Sequence, residues 1–135
     1  MKTHTQVVAV GIVQKGDRYL VTKRVEVNPA EKKFHDMWQF PGGGHEFGET
    51  PEETVVRELK EEIGVDVVVK RFLIPLSVIH HTWWQGILLS YVCELHNPKA
   101  FIILNTESSQ YRWCTKEEIK QLDAMPSLYT IVDML

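Results

Sequence analysis

The chain has 135 residues, with 15 Lys and Arg against 18 Asp and Glu, a formal net charge of −3. That length fits one domain, since single cores usually run to ~100–200 residues, and 44% hydrophobic with 24% charged residues excludes global disorder. The acidic total argues against a nucleic-acid duplex binder or a polybasic membrane anchor, both of which need a basic surface, and at face value against a phosphorylated substrate too.

Residues 1–6 lead directly into an apolar stretch with no signal-peptide cleavage pattern, and no apolar run approaches the ~18 residues of a membrane span. A soluble cytoplasmic protein is expected. Residues 6–13 are rich in β-branched side chains and read as a buried strand, returned by the turn at 14–17 into a second strand at 18–22. A polar connection follows over 25–36, then Met37-Trp38-Gln39-Phe40 and the loop Pro41-Gly42-Gly43-Gly44. Thr50-Pro51-Glu52-Glu53 is a helix start: Thr50 can cap, Pro51 suits the first turn and Glu53 completes a capping box. The helix should run to Ile63 and stop at Gly64. Residues 65–74 read as extended up to Pro75, 86–95 and 110–114 as strands, Thr115 as the cap of a short helix, and 127–135 as a last helix. Strands outnumber helices, so a mixed sheet between helices is expected, in one domain without repeats or linkers. Cys93 and Cys114 lie in apolar segments and read as reduced core residues.

The first long helix carries the chemistry. Glu58, Glu61 and Glu62 stand at i, i+3 and i+4 and share one side, beside the apolar side formed by Val55, Val56, Leu59 and Ile63. Like charges at those spacings cost ~0.2–0.5 kcal/mol per pair. A divalent cation would remove the repulsion, and hard oxygen ligands suit Mg²⁺ or Mn²⁺. A solvated Glu-rich face, with Arg57 pairing Glu61, is the alternative on the helix alone. The glycine run upstream is no Walker loop, because no Gly-Lys-Ser/Thr follows it.

From Gly43 the spacing is five residues, Glu49, seven residues, Arg57-Glu58-Leu59, one residue, Glu61-Glu62, one residue, Gly64-Val65. This resembles the signature of the Nudix hydrolase family at every fixed position. At roughly 7% per fixed letter, seven such letters coincide by chance about once in 10⁸ windows. The hairpin ending Thr22-Lys23-Arg24, the lead-in Trp38 to Gly43 and the late Trp113 are also similar to small members of the family. The resemblance implies a single Nudix-type α/β/α sandwich over the whole chain and hydrolysis of a nucleoside diphosphate linked to another group, X. It implies Mg²⁺, with Mn²⁺ as a substitute, held by Glu58, Glu61 and Glu62 and by the Gly42 carbonyl. Arg57 would anchor the carboxylates and Glu49 would brace the loop against the helix. Family members differ in their general base: Glu107, six residues before Trp113, and Glu61 are the two candidates. Arg24 and Gly43 would meet substrate phosphates. Trp38, Trp83 and Trp84 are candidates to stack a base, with packing as the alternative, and His80 and His81 read as polar rim on a loop.

Among substrates, a (deoxy)nucleoside triphosphate split to monophosphate and pyrophosphate is the reading favoured by the compact length and the Glu107–Trp113 spacing. ADP-ribose, dinucleotides or sugar nucleotides are the alternative, and RNA-end processing is a third. The asparagine with which family members read an oxidised guanine has no counterpart in Ala124-Met125-Pro126-Ser127-Leu128. A nucleotide-sensing module without turnover is the reading from another class; such modules usually lose box carboxylates, and all are present here. The resemblance leaves a homodimer open. The charge also changes meaning: residues 46–62 hold seven acids and two bases, so that segment carries −5 and the rest of the chain +2.

Overall fold

The computed structural model describes residues 2–135. Its spine is β1 (His4–Lys15), which runs parallel to β7 (Trp84–Leu95) from His4 beside Trp84 to Val13 beside Cys93. On the other edge of β1, Val8, Ala9 and Val10 pair antiparallel with β4 (Gly42–Gly44), and Gln14 and Lys15 pair with Tyr19 and Arg18 of β2 (Arg18–Arg24). β2 carries β3 (Trp38–Gln39) and β8 (Ser108–Cys114), both antiparallel. The far edge of β7 carries β6 (Ser77–His80) along its first half and β5 (Val67–Phe72) along its second.

Helices cover both faces of this mixed sheet, as expected for an α/β/α sandwich. α1 (Pro51–Ile63) packs Val55, Leu59 and Ile63 onto Ala9, Val13, Leu20 and Cys93. On the opposite face, α2 (Lys116–Lys120) and α3 (Pro126–Val132) bring Ile119, Leu128 and Ile131 onto Val10, Ile12, Tyr19 and Val21. β1 is therefore buried on both faces, which is why it reads as a continuous apolar run. Among the described residues, no helix is long and apolar enough to cross a membrane.

α1 begins and ends where the sequence places it. Thr50 accepts from the Glu53 N–H, Glu53 returns the bond to the Thr50 N–H, and Gly64 closes the helix at φ 71°. Thr115 and Glu118 repeat the capping box at α2. Val55, Leu59 and Ile63 are fully buried, and burial is worth ~1.5–3 kcal/mol for each such side chain. That outweighs the repulsion within the Glu run, so the helix tolerates its acids.

Several expectations change. Residues 42–44, read as loop, form β4, because three residues without side chains can lie flat against β1. His80, read as loop, ends the short strand β6, whose partner is β7. The extended segment at 65–74 narrows to β5, with an irregularity between Val69 and Arg71. The last helix stops at Val132. The polar connection holds a 3₁₀ turn at Pro29–Phe34, capped by the Asn28 side chain on the Ala30 N–H. Cys93 and Cys114 are free and buried, as expected, and burial pushes the Cys93 thiol up to about 12.

Gly11 sets how closely α1 approaches the sheet. A Cβ there would lie 2.7 and 2.8 Å from the two Leu59 methyls and 3.1 Å from Val55. Gly11→Ala is expected to destabilise the fold by ~1–3 kcal/mol in denaturant unfolding, through overpacking. In the double variant with Leu59→Ala, which opens the space, the total loss should be smaller than the sum of the two single losses. Strict additivity would show that this contact is not the cause.

Candidate active site and metal centre

α1 turns Glu58 and Glu62 towards the glycine strand. Glu62 is only 8% exposed, and its Oε2 accepts from the Gly42 N–H at 2.8 Å. Glu58 lies over Gly43 so closely that a Cβ on that residue would collide with its carboxyl group. Glu61, one position before Glu62, is half-exposed.

Arg57 joins these groups. Its Nε and Nη2 donate to the two oxygens of Glu49 at 3.1 and 2.8 Å, and Nη2 also donates to the Gly44 carbonyl at 3.0 Å. Nη1 donates to Glu58 at 2.9 Å and reaches Glu61 at 3.5 Å. Glu49 further accepts from Thr54 Oγ1 at 2.7 Å and the Glu46 N–H at 2.9 Å. With Arg57 as the main cause, its carboxyl is held down at about 2. These bonds tie the loop before α1 and the carbonyl of Gly44 to the Arg57 side chain.

Glu107 arrives from a distant loop. The Ile103 N–H donates to the Ile63 carbonyl and the Asn105 N–H to the Glu62 carbonyl, so the loop docks on the last turn of α1. The Val25 N–H donates to the Glu107 carbonyl, tying the same loop to the end of β2. The Glu107 carboxylate then bears on both Glu62 and Glu58. Burial first, then the charges of Glu107 and Glu58, push the Glu62 carboxyl up to about 9. Glu58 is raised too, mainly by burial, with Arg57 opposing.

Glu62 and Glu107 line a cavity of about 790 Å³, together with Gly42, Gly43 and Gly44 and the apolar side chains of Val10, Phe40, Leu88 and Leu128. Arg24 is on its wall, and its guanidinium is already bonded to Glu26 Oε2 through Nε at 3.2 Å and Nη2 at 2.8 Å. Trp83 and Trp84 line the cavity, as does His81, whose ring packs between Phe34 and Trp84. Trp38 does not line it: it is 5% exposed and packs in the core with Arg112 and Lys23 over its ring. Of the residues singled out in the sequence, Glu58, Glu62, Glu107, Gly42 and Gly43 come together, Glu61 and Glu49 join through Arg57, and Trp38 stands apart. Glu26 and Phe34 were missed. Their only signal was the Arg24–Glu26 spacing, which puts two opposite charges on one side of an extended chain.

Among the described residues, no three Asp, Glu, His or Cys side chains converge as a ready-made metal cluster. The donor set nevertheless fits a hard divalent cation. Glu58, Glu61, Glu62 and Glu107 offer only oxygens, two of them hold a charge that burial resists, and Arg57 is spent on the other side of the group. At Gly42 the contact with Glu62 is made through its N–H rather than its carbonyl.

The NUDIX domain family profile matches residues 2–135, and the chain belongs to that family. A CTP pyrophosphohydrolase of Escherichia coli (strain K12) is 25% identical over 126 residues, covering 89% of this chain and 83% of that one. An RNA pyrophosphohydrolase of Acinetobacter baylyi is 56% identical over 36 residues, which span 27% of this chain and only 22% of that relative. The MutT protein of Methanosarcina mazei Go1 superposes with a TM-score of 0.78 at 20% identity, covering 98% of this chain and 92% of that one. The expected family, hydrolase class and mixed α/β fold agree with these likenesses.

The raised Glu62 carboxyl gives a pH dependence with a definite sign. The folded metal-free protein keeps this proton up to about 9, whereas the unfolded chain loses it near 4.5. The group's stabilisation is complete below the unfolded value and is lost as pH rises through that window. Denaturant midpoints measured without metal should therefore carry a component that falls with pH, and Glu62→Gln should remove it. Titration of metal into the protein at neutral pH should release a proton, read as a buffer-dependent heat, and the variant should lose that release.

Proposed function

We propose that this protein is a divalent-metal-dependent nucleotide pyrophosphohydrolase, and within that class a (deoxy)nucleoside triphosphate pyrophosphatase releasing monophosphate and pyrophosphate. The observation that carries the reading is the gathering of Glu58 and Glu107 about Glu62, with Glu62 and Glu107 lining a cavity that also presents the apolar side chains of Val10, Phe40, Leu88 and Leu128. Phosphates fit beside the acids only with cations present, and an aromatic base fits the apolar side chains.

Glu58, Glu61 and Glu62 would hold Mg²⁺, or Mn²⁺ in its place. The cation supplies neutralisation of adjacent phosphates and a lowered pKa for the attacking water. Arg57 keeps the carboxylates oriented and Gly43 gives them room. Glu107 is the better placed general base, because its carboxylate lines the cavity beside Glu62, whereas Glu61 is not among the lining residues and is tied to Arg57. Base stacking passes from Trp38 to Trp83 and Trp84, which line the cavity. The likeness to a CTP pyrophosphohydrolase over most of the chain supports a triphosphate substrate. The cytoplasmic location expected from the sequence goes with this reading. A homodimer is not required by it, since every residue named comes from one chain.

The test is a panel of ribo- and deoxynucleoside triphosphates, ADP-ribose and a dinucleotide, with Mg²⁺ and with product identification. Triphosphates should yield pyrophosphate and monophosphate; turnover of ADP-ribose or the dinucleotide alone overturns the substrate class. Glu62→Gln and Glu58→Gln should each lower kcat by at least the ~10–100-fold that loss of even an outer partner of a metal ligand costs. Between Glu107→Gln and Glu61→Gln, the base is the one whose loss costs ~10²–10⁴ in rate and abolishes the acid limb of the pH profile.

A further inference from the structure

The wall of the cavity at the end of β2 carries a second arrangement, outside the glutamate cluster of α1. Arg24 ends β2 and Glu26 lies two residues on, so in extended chain both point the same way. Nε and Nη2 of Arg24 share Glu26 Oε2 at 3.2 and 2.8 Å, and both side chains are largely buried, at 27% and 16% exposure. The other oxygen, Oε1, accepts from the Asn28 N–H at 3.2 Å, and the Glu26 N–H donates to His35 Nδ1 at 3.1 Å. Glu26 is therefore held at two further points besides the arginine. The Phe34 ring lies beneath the guanidinium, 5.6 Å from its central carbon. Arg24, Glu26, Asn28 and Phe34 all line the cavity, whose other charged lining groups are Glu31, Glu62 and Glu107.

An arginine side chain left free samples many rotamers, and one pinned along its Nε edge over an aromatic face has its plane set. The bonds to Glu26 use Nε and one N–H of Nη2, leaving Nη1 and the second Nη2 N–H without a partner among the described residues. We propose that Glu26 is a positioning residue, which locks the Arg24 fork on the Phe34 ring so that its remaining donors meet an oxyanion of the substrate's polyphosphate. The proposal rests on the pyrophosphohydrolase reading for the identity of the ligand. Glu26 keeps its charge at neutral pH, since the Arg24 bond holds its carboxyl below the usual range.

Charge alone predicts the opposite sign. If Glu26 merely cancelled Arg24, removing the carboxylate would strengthen anion binding. The two accounts separate in calorimetric titrations of inorganic tripolyphosphate with Mg²⁺, which contains the phosphate chain and no base, alongside steady-state kinetics on a triphosphate. Positioning predicts about tenfold weaker binding and a raised KM with kcat little changed in Glu26→Ala, and substantial recovery in Glu26→Gln, which keeps an acceptor for Arg24. In an Arg24→Ala background, Glu26→Ala should add nothing. Tighter or unchanged tripolyphosphate binding in Glu26→Ala overturns the proposal, as does an equal loss with Arg24 already removed, or no binding by the wild-type protein. If the binding pattern holds while no nucleotide is turned over, the proposed function fails and the positioning role stands.

Discussion

The Arg57 guanidinium donates to Glu49, Glu58, Glu61 and the Gly44 carbonyl, and the rest of the candidate site is built outward from that one cation. Its bonds join the loop before α1, strand β4 and the middle of α1. A lysine could neutralise one of these acids but could not span them, because only the planar fork presents donors in several fixed directions. The paired edge of Arg57 on Glu49 fixes the loop, and Nη1 then has a defined place from which to hold Glu58. What Arg57 cannot reach is as important. Glu62 and Glu107 face each other away from Arg57, with the Gly42 N–H as the donor to Glu62, and among the described residues neither makes an ion pair.

That imbalance explains where the chain's acidity sits. A buried carboxylate without a counter-charge costs several kcal/mol, and the group answers by keeping its proton. The helix survives the cost because its opposite side buries Val55, Leu59 and Ile63 against the sheet. The stability of α1 is thus supplied by its apolar side and spent on its acidic one. With seven acids and two bases in residues 46–62 and a small positive excess elsewhere, the same protein repels phosphate without a cation and attracts it with one. The net charge of −3 therefore gives no guide to the ligand; its distribution does.

What could be read in advance was local. The capping box of Thr50 and Glu53, the stop at Gly64 and the common side of Glu58, Glu61 and Glu62 all lie within one helix, so periodicity and spacing suffice. What could not be read depends on pairing between distant segments. Gly42 to Gly44 have no strand propensity and become β4 only because β1 offers an edge. Trp38 beside the glycines looks like a rim aromatic, but it alternates with Gln39 and shares the side of Phe40, which faces α3 and the core. Glu107 meets Glu62 because Ile103 and Asn105 dock on the end of α1, and nothing in its own neighbourhood announces that. Glu26 was hidden in a connection whose polarity looked like solvent exposure.

The position of the cavity follows from a competition for one edge of β1. β7 occupies one edge from His4 to Val13, so β4 and β2 must share the other. β4 takes Val8 to Val10, and β2 is left with Gln14 and Lys15, so the opening hairpin pairs near its turn and then diverges. From there β2 and its partners form a second wing of the sheet. The chain crosses between the wings at Phe40 and Pro41, where the Gly11 N–H donates to the Pro41 carbonyl at 2.9 Å. Arg24 and Gln39 face the gap from one wing, and Val8, Val10, Leu88 and the glycine strand face it from the other. An undivided sheet would offer flat surface here, whereas a sheet that splits offers a concavity whose two walls come from different strands. The acids of α1 reach the cavity because β4, the strand that displaced β2, is the one with no side chains to block them.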